Sequence, residues 1–276
     1  MINVERKVVR EEEEFKMEMK LLYSDKENFR FLVKGISPAE LNAFRRVIVN
    51  HLSSMAVDTV EILDNSSALY DETIAQRIGL VVLKTDKESY FVKENCKCKG
   101  AGCARCTLDL SLEAEGPCIV TADMFKSKDP AVVPVYGKTP IVKLLENQRL
   151  RVIAHAILST GKDHIKYSSG LMYYQGYPSI KLGNVKNAED IVEICPRKVF
   201  EMESKKLKVK NIDACILCNA CVDASANEIE VKGSNKDFIV TIEPWGQLTS
   251  QEMVEGLVES LHEQIDELSE EIKKLK

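Results

Sequence analysis

Three closely spaced cysteines constrain this chain more than any other feature. Cys215, Cys218 and Cys221 stand as C-x2-C-x2-C in the segment DACILCNACVDAS. Three thiolates on so short a loop can cap three corners of one cubane iron–sulfur cluster, with the fourth ligand coming from elsewhere in the chain. The competing readings are a structural zinc site and chance spacing. Zinc sites usually pair C-x2-C units, and three cysteines in tandem are not that pattern.

In bacterial-type ferredoxins the run is C-x2-C-x2-C-x3-C-P, and its fourth cysteine ligates the other of two clusters. This chain keeps half of that arrangement. Cys195 precedes Pro196 and matches the fourth cysteine of a first run, but the three positions before it are Val185, Ala188 and Ile191. After the intact trio, Ser225 stands where its own fourth cysteine belongs. Both losses remove ligands of the same missing cluster. The set that remains, Cys195, Cys215, Cys218 and Cys221, suits one 4Fe–4S cluster; a 3Fe–4S cluster is the variant that three ligands would satisfy.

The chain has nine cysteines. In a reducing compartment disulfides are rare, and clustered cysteines read as metal ligands. A second group, Cys96, Cys98, Cys103 and Cys106, forms C-x-C-x4-C-x2-C. Four thiolates so close in sequence can wrap a tetrahedral Zn2+. Gly100 and Gly102 permit the tight backbone between the pairs, and Lys97, Lys99 and Arg105 offset the charge. The alternatives are a metal-free, redox-labile loop or a further iron–sulfur site. Cys118 stands alone and reads as a small buried hydrophobe.

The last part of the chain carries a helical signature. Thr249 and Glu252 form a capping box. Val254, Val258, Leu261, Ile265, Leu268, Ile272 and Leu275 then step by alternating fours and threes, a heptad seam on an otherwise glutamate-rich helix. Such a seam needs a covering surface, from this chain or from a partner subunit.

Near the other end, FKMEMKLLY places Phe15, Met17, Met19, Leu21 and Tyr23 on one face of a strand, and residues 28–34 alternate again, so the pair reads as a hairpin. Ser37, Pro38 and Glu40 open a helix whose apolar stripe is Leu41, Phe44, Ile48, Leu52 and Met55. From about residue 57 strands dominate: VDTVEIL, TLDLSLEA, CIVTA, LRVIAHAIL and LMYYQGYP, with DETIAQRIGLVVL helical among them. FIVTIE at 238–243 is a further strand.

The remaining composition narrows the function. The net charge is −5, against the basic surplus of a phosphate-gripping protein, so no direct DNA binding is expected. Lys205, Lys206, Lys208 and Lys210 read as a solvated face. No apolar run reaches the ~18 residues of a membrane span, and MINVERKVVREEEEF has no signal-peptide core, so a soluble cytoplasmic protein is expected. Gly161-Lys162 lacks the glycine of a phosphate loop, with Ala156 in its place and Asp163 where Ser or Thr belongs. His51, His155, His164 and His262 stand beside no nucleophile motif, and no catalytic residues are expected in this chain.

Taken in order, these segments resemble the D-type subunits of archaeal RNA polymerase, the counterparts of the third-largest subunit of eukaryotic RNA polymerase II and of the bacterial alpha subunit. FLVKGISPAELNAFRRVIVNHLSSMAVDTVEI looks like the family's first signature and NSSALYDETIAQRIGLVVLKTD like the stretch after it. The first cysteine loop resembles the zinc loop of the eukaryotic counterpart. STGKDHIKYSSG is similar to the family's Gly-x-Gly-Lys-x-His-x-Lys-aromatic segment, though Ser159-Thr160 shows that the first glycine is not kept.

The resemblance covers nearly the whole chain and implies an α+β fold with a discontinuous dimerisation domain, residues 1–55 and 229–276. It implies an inserted β-rich domain at 56–180 and a ferredoxin-like iron–sulfur domain at 181–228. It also implies a non-catalytic scaffold that heterodimerises with small subunit L, joins small subunits N and P, and docks on the second-largest subunit. The partner-binding residues would be Leu41, Phe44, Ile48, Val254, Val258, Leu261, Ile265, Leu268 and Ile272. The alternative is a ferredoxin-type electron carrier or oxidoreductase subunit, which leaves the heptad helix and the four-cysteine loop unexplained.

Overall fold

The computed structural model describes residues 17–204 and 206–275; Phe15 and Lys205 lie outside them. The elements in chain order are β1 (Glu18–Ser24), β2 (Phe29–Lys34), α1 (Pro38–Asn50), β3 (Ser53–Asn65), α2 (Asp71–Gly79), β4 (Leu108–Glu115), β5 (Cys118–Thr121), β6 (Lys126–Ser127) and β7 (Pro140–Leu144). They continue with β8 (Arg149–Thr160), β9 (Gly170–Leu182), α3 (Ala188–Ile194), β10 (Phe200–Glu203), β11 (Lys206–Val209), α4 (Ala220–Ala224), β12 (Ile229–Pro244) and α5 (Ser250–Lys274). The fold is mixed α and β, and its described residues form two compact units.

The first unit takes the described residues of Met1–Leu22, Phe31–Pro38 and Tyr174–Val240. Its sheet runs in the order β1-β2-β12-β9. Phe31, Leu32 and Val33 on β2 and Phe238, Ile239 and Val240 on β12 are consecutive and buried, as strands covered on both faces require. Tyr174 meets Phe238 edge to face, with ring centroids 5.6 Å apart. β1, at the edge, leaves Met19 and Leu21 exposed. A second core gathers Ile191, Val199, Phe200 and Ile229 around three cysteines. The antiparallel β10–β11 hairpin closes over it, with Phe200 opposite Val209.

The second unit takes Tyr23–Arg30, Ala39–Tyr173 and the described residues of Thr241–Lys276. Its main sheet is β3-β8-β4-β6, and β5 pairs with β7. On β8 the buried residues Leu150, Val152, Ala154, Ala156 and Leu158 alternate with more accessible ones, the period-two pattern of a strand with one covered face. Leu110 and Leu112 on β4 stand opposite Ala154 and Val152. Ile74 and Ile78 of α2, with Val120, Ile141 and Leu144, complete that core. Cys118 is only half-buried and packs at its margin, so it is less enclosed than its isolation in the sequence implies.

Three elements end where periodicity alone does not place them. The helix after Ser37 stops at Asn50 rather than reaching Met55; the His51 and Leu52 amides turn back onto the Val47 carbonyl, and Met55 sits in β3 opposite Leu158. Tertiary strand pairing overrides the helical stripe there. α2 ends at Gly79 rather than running through Leu83, and the Leu80 amide caps it on Gln76 and Arg77; Val81 and Leu83 are buried individually. β12 extends from Ile229, well before the FIVTIE core, because its polar VKGSNKD stretch is held by neighbouring strands and not by its own pattern.

α5 opens with the expected capping box. The Glu252 amide donates to Thr249 Oγ1 at 3.3 Å, and the Thr249 amide donates to Glu252 Oε2 at 2.6 Å. The residues that seat it in its own unit are Met253 and Leu257, which the heptad register leaves out.

Candidate metal centres and the exposed helix seam

The first cysteine group follows a short turn, Lys93–Asn95, and precedes β4. Left-handed backbone at Lys99, Gly100 and Gly102 reverses the chain between the two pairs of thiols. All four sulfurs lie within 4.8 Å of one another. Cys96 Sγ is 3.6 Å from Cys103 Sγ, Cys98 Sγ is 3.5 Å from Cys106 Sγ, and Cys103 Sγ is 3.9 Å from Cys106 Sγ. Four sulfurs at ~2.3 Å from one tetrahedral ion would stand roughly 3.8 Å apart, so the loop is shaped for a single metal ion. Cys96 and Cys106 are buried, and the Cys103 amide donates to Cys106 Sγ at 3.3 Å.

The crowding polarises the thiols. The Cys96 thiol, hydrogen-bonded to Cys98, brings Cys98 down to about 6. The Cys98 amide acts to lower Cys96 too, but burial and the surrounding thiols outweigh it and hold Cys96 up at about 11. The lowered Cys98 value favours the thiolate, the form in which cysteine ligates a metal.

The second group is assembled from two distant segments. Cys195 caps the end of α3; Cys215 follows a short turn at Ile212–Ala214, and Cys221 lies in α4. All four cysteines line one pocket, with Pro196, Val199, Phe200, Ile216 and Val231 among its walls. Cys195, Cys215 and Cys221 are buried, and Cys218 is exposed. Left-handed Leu217 and Asn219 curl the trio's loop. The Val199 amide donates to Cys195 Sγ at 3.4 Å. Burial pushes the Cys215 and Cys221 thiols up, opposed in each case by a backbone amide and reinforced by charge on the neighbouring sulfurs. Among the described residues, the Cys96 loop is the group whose sulfurs converge to single-ion distances; this second quartet is spread around a pocket.

The positions where another cluster's ligands would stand are occupied. Ile191 is fully buried, Val185 packs on the same core, and Ser225 Oγ accepts from the Ile229 amide at 3.1 Å while donating to the Val222 carbonyl at 3.0 Å. Aliphatic packing and a satisfied hydroxyl hold those positions.

The helix residues divide sharply. Leu41 and Ile48 are 1% and 0% exposed and belong to the chain's own core, and Phe44 is half-buried. Val254 and Leu261 are half-buried. Val258, Ile265, Leu268 and Ile272 are 49%, 59%, 60% and 51% exposed, and Leu275 more so. The apolar seam is thus uncovered over the outer half of α5.

The Gly161-Lys162 turn is built for structure. Asp163 accepts from Ser159 Oγ and Thr160 Oγ1 at 2.5 and 3.0 Å, which pulls its carboxyl below the ordinary aspartate value. The Lys162 amide donates to the Asn50 carbonyl, and Lys166 Nζ to the Val57 carbonyl. Among the described residues no helix is long and apolar enough to cross a membrane.

This insert-bearing architecture has a defined class. Residues 60–173 match the family model described as the RNA polymerase Rpb3/RpoA insert domain. The DNA-directed RNA polymerase subunit Rpo3 of Archaeoglobus fulgidus is 35% identical over 94% of this chain and 98% of its own length. The Rpo3 subunits of Thermococcus kodakarensis, 33% identical over 94% of this chain and 99% of theirs, and of Methanosphaera stadtmanae, 32% over 91% and 97%, are similar. The chain belongs to the Rpo3 family, the D-type subunits of archaeal RNA polymerase.

Proposed function

We propose that this chain is a non-catalytic assembly subunit of DNA-directed RNA polymerase. It pairs through α5 with the small subunit L, and the heterodimer then gathers small subunits N and P and docks on the second-largest subunit. The observation that carries this reading is the uncovered seam of Val258, Ile265, Leu268 and Ile272. Fully burying a side chain of this size is worth about 1.5–3 kcal/mol, and an apolar stripe left open on one chain favours a partner that closes it. Nucleotidyl transfer belongs to the assembled enzyme, which works in the cytoplasm.

The domain division follows from this role. Residues 1–55 and 229–276 form the dimerisation domain, 56–180 the inserted β-rich domain, and 181–228 a ferredoxin-like domain. In the last, Cys195, Cys215, Cys218 and Cys221 hold one 4Fe–4S cluster. The pocket fits that group: its four thiols are spread around one cavity, amides point at sulfurs, and Val199, Phe200 and Val231 give it apolar walls beside the exposed Cys218. The cluster supplies a covalent cross-link between the segments at 195 and at 215–221, and its loss would loosen the domain and tune assembly. In the insert, Cys96, Cys98, Cys103 and Cys106 hold Zn2+, whose tetrahedral edge lengths match their separations.

The test is reconstitution with purified subunit L. Size-exclusion chromatography should give a one-to-one complex, and I265E/L268E should abolish it while leaving the circular dichroism of the chain unchanged. A chain that stays alone, or a double variant that still binds, overturns the reading.

A further inference from the structure

We infer that Gln175 and Tyr177 are positioning residues for the cysteine pocket, fixing from β9 the loop that presents Cys215. The inference rests on the iron–sulfur reading and deepens it by naming what holds the trio's loop in place. Gln175 Nε2 donates to the Cys215 carbonyl at 2.7 Å, and Tyr177 Oη donates to Asp213 Oδ1 at 2.9 Å. The two residues are separated by one position on a strand, so both side chains leave the same face. Together they grip the turn at Ile212–Ala214 and the first ligand after it.

The backbone hydrogen bonds within the loop are local turns. The Ala214 amide donates to the Asn211 carbonyl at 3.4 Å and the Cys215 amide to the Ile212 carbonyl at 3.0 Å. Beyond Cys215 the backbone passes through left-handed Leu217 and Asn219 before α4 begins. A cysteine on such a loop keeps its sulfur at a cluster corner only if its backbone is anchored from outside.

β9 is a firm anchor because it is pressed against β12. Gly176, between the two clamping residues, faces the Ser234 backbone so closely that a Cβ there would lie 2.6 Å from the Ser234 carbonyl oxygen. Burial and the bond to Asp213 push the Tyr177 hydroxyl above the ordinary tyrosine value, so it stays a donor throughout the physiological range.

Losing either clamp leaves the sulfurs in place but frees the backbone that aims Cys215. The effect should therefore appear in how fast iron leaves. The chain, loaded anaerobically with iron and sulfide, is mixed with a chromogenic ferrous chelator, and release is followed with the loss of visible absorbance. Q175A and Y177F should each release iron about three- to tenfold faster than wild type, the kinetic worth of one lost hydrogen bond. D213N keeps an acceptor oxygen and should stay near the wild-type rate. Y173F, on the same strand as Gln175 and Tyr177, loses a bond to Glu243 Oε1 of β12 and should not change the rate. Thermal unfolding of the metal-free chain should be alike for wild type and Y177F.

Wild-type release rates in both Q175A and Y177F would overturn the inference. So would an equal acceleration in Y173F. A wild-type chain that takes up no iron would instead sink the cluster reading itself, and this inference with it.

Discussion

Asp109 illustrates how single residues fasten the β-rich insert. Its carboxylate accepts from Lys128 Nζ at 2.6 Å and pairs with His155 Nδ1 at 2.8 Å. Those two bonds, Lys128's first, hold its carboxyl below the ordinary aspartate value of about 3.9. A carboxyl depressed in the folded state adds stability that is present above the unfolded value and lost as pH falls through the folded one. The urea midpoint of wild type should exceed that of D109N at about pH 6, and the gap should close toward about pH 3; a constant gap would contradict this. Cys218 is the second residue with a sharp expectation. It is the exposed member of its quartet, so C218S should keep a cluster of about three irons with the EPR signal of an oxidised 3Fe–4S centre. C221S removes a buried ligand and should lose the cluster altogether. The grouping of the cysteines was legible in the sequence: the Cys96 set by its close spacing, and Cys195 with the Cys215 trio by the ferredoxin-like pattern, and each set comes together in space. Gln175 was not, since it meets Cys215 from 40 positions away through a carbonyl that every residue has.

Among the elements, the turn after β8 shows what a resemblance by motif conceals. Gly161 lies so near the end of α1 that a Cβ would fall 2.0 Å from the Val49 carbonyl oxygen. G161A should therefore cost about 1–3 kcal/mol or more in urea unfolding, although the Lys162–Asp163 tip of the turn is exposed. A wild-type midpoint would show that the close approach relaxes at little cost. α5 shows the converse. Its capping box and heptad register were readable because both are local patterns. Its own-chain anchors, Met253 and Leu257, fall outside that register, and only the packing of the second unit identifies them. α1 and α2 were found but drawn too long, since Met55 and Leu83 continue a helical stripe in sequence and are claimed by other partners in space.

For the whole molecule, two four-cysteine groups and an exposed helix seam fit the proposed assembly subunit. In that proposal metals would tie together the segments that carry the cysteines, and a partner subunit would cover the exposed seam. Chelation should separate the two loops. A strong zinc chelator should release one Zn2+ per chain, with the iron–sulfur absorbance and the binding of subunit L retained. Simultaneous loss of both would mean that the loops are not independent. The mixed α and β character, the insert and the family were readable because the segments resembled those of one family in the same sequence order. The strands β6, β7, β10 and β11 were not, being short and paired only by tertiary context.

The most direct test of the central claim is the stoichiometry of proteins that co-purify with the tagged chain from its native host, measured by quantitative mass spectrometry. The polymerase account predicts one copy each of subunit L, the small subunits N and P and the two largest subunits per tagged chain. Recovery of the chain alone, or with oxidoreductases and no polymerase, would contradict it.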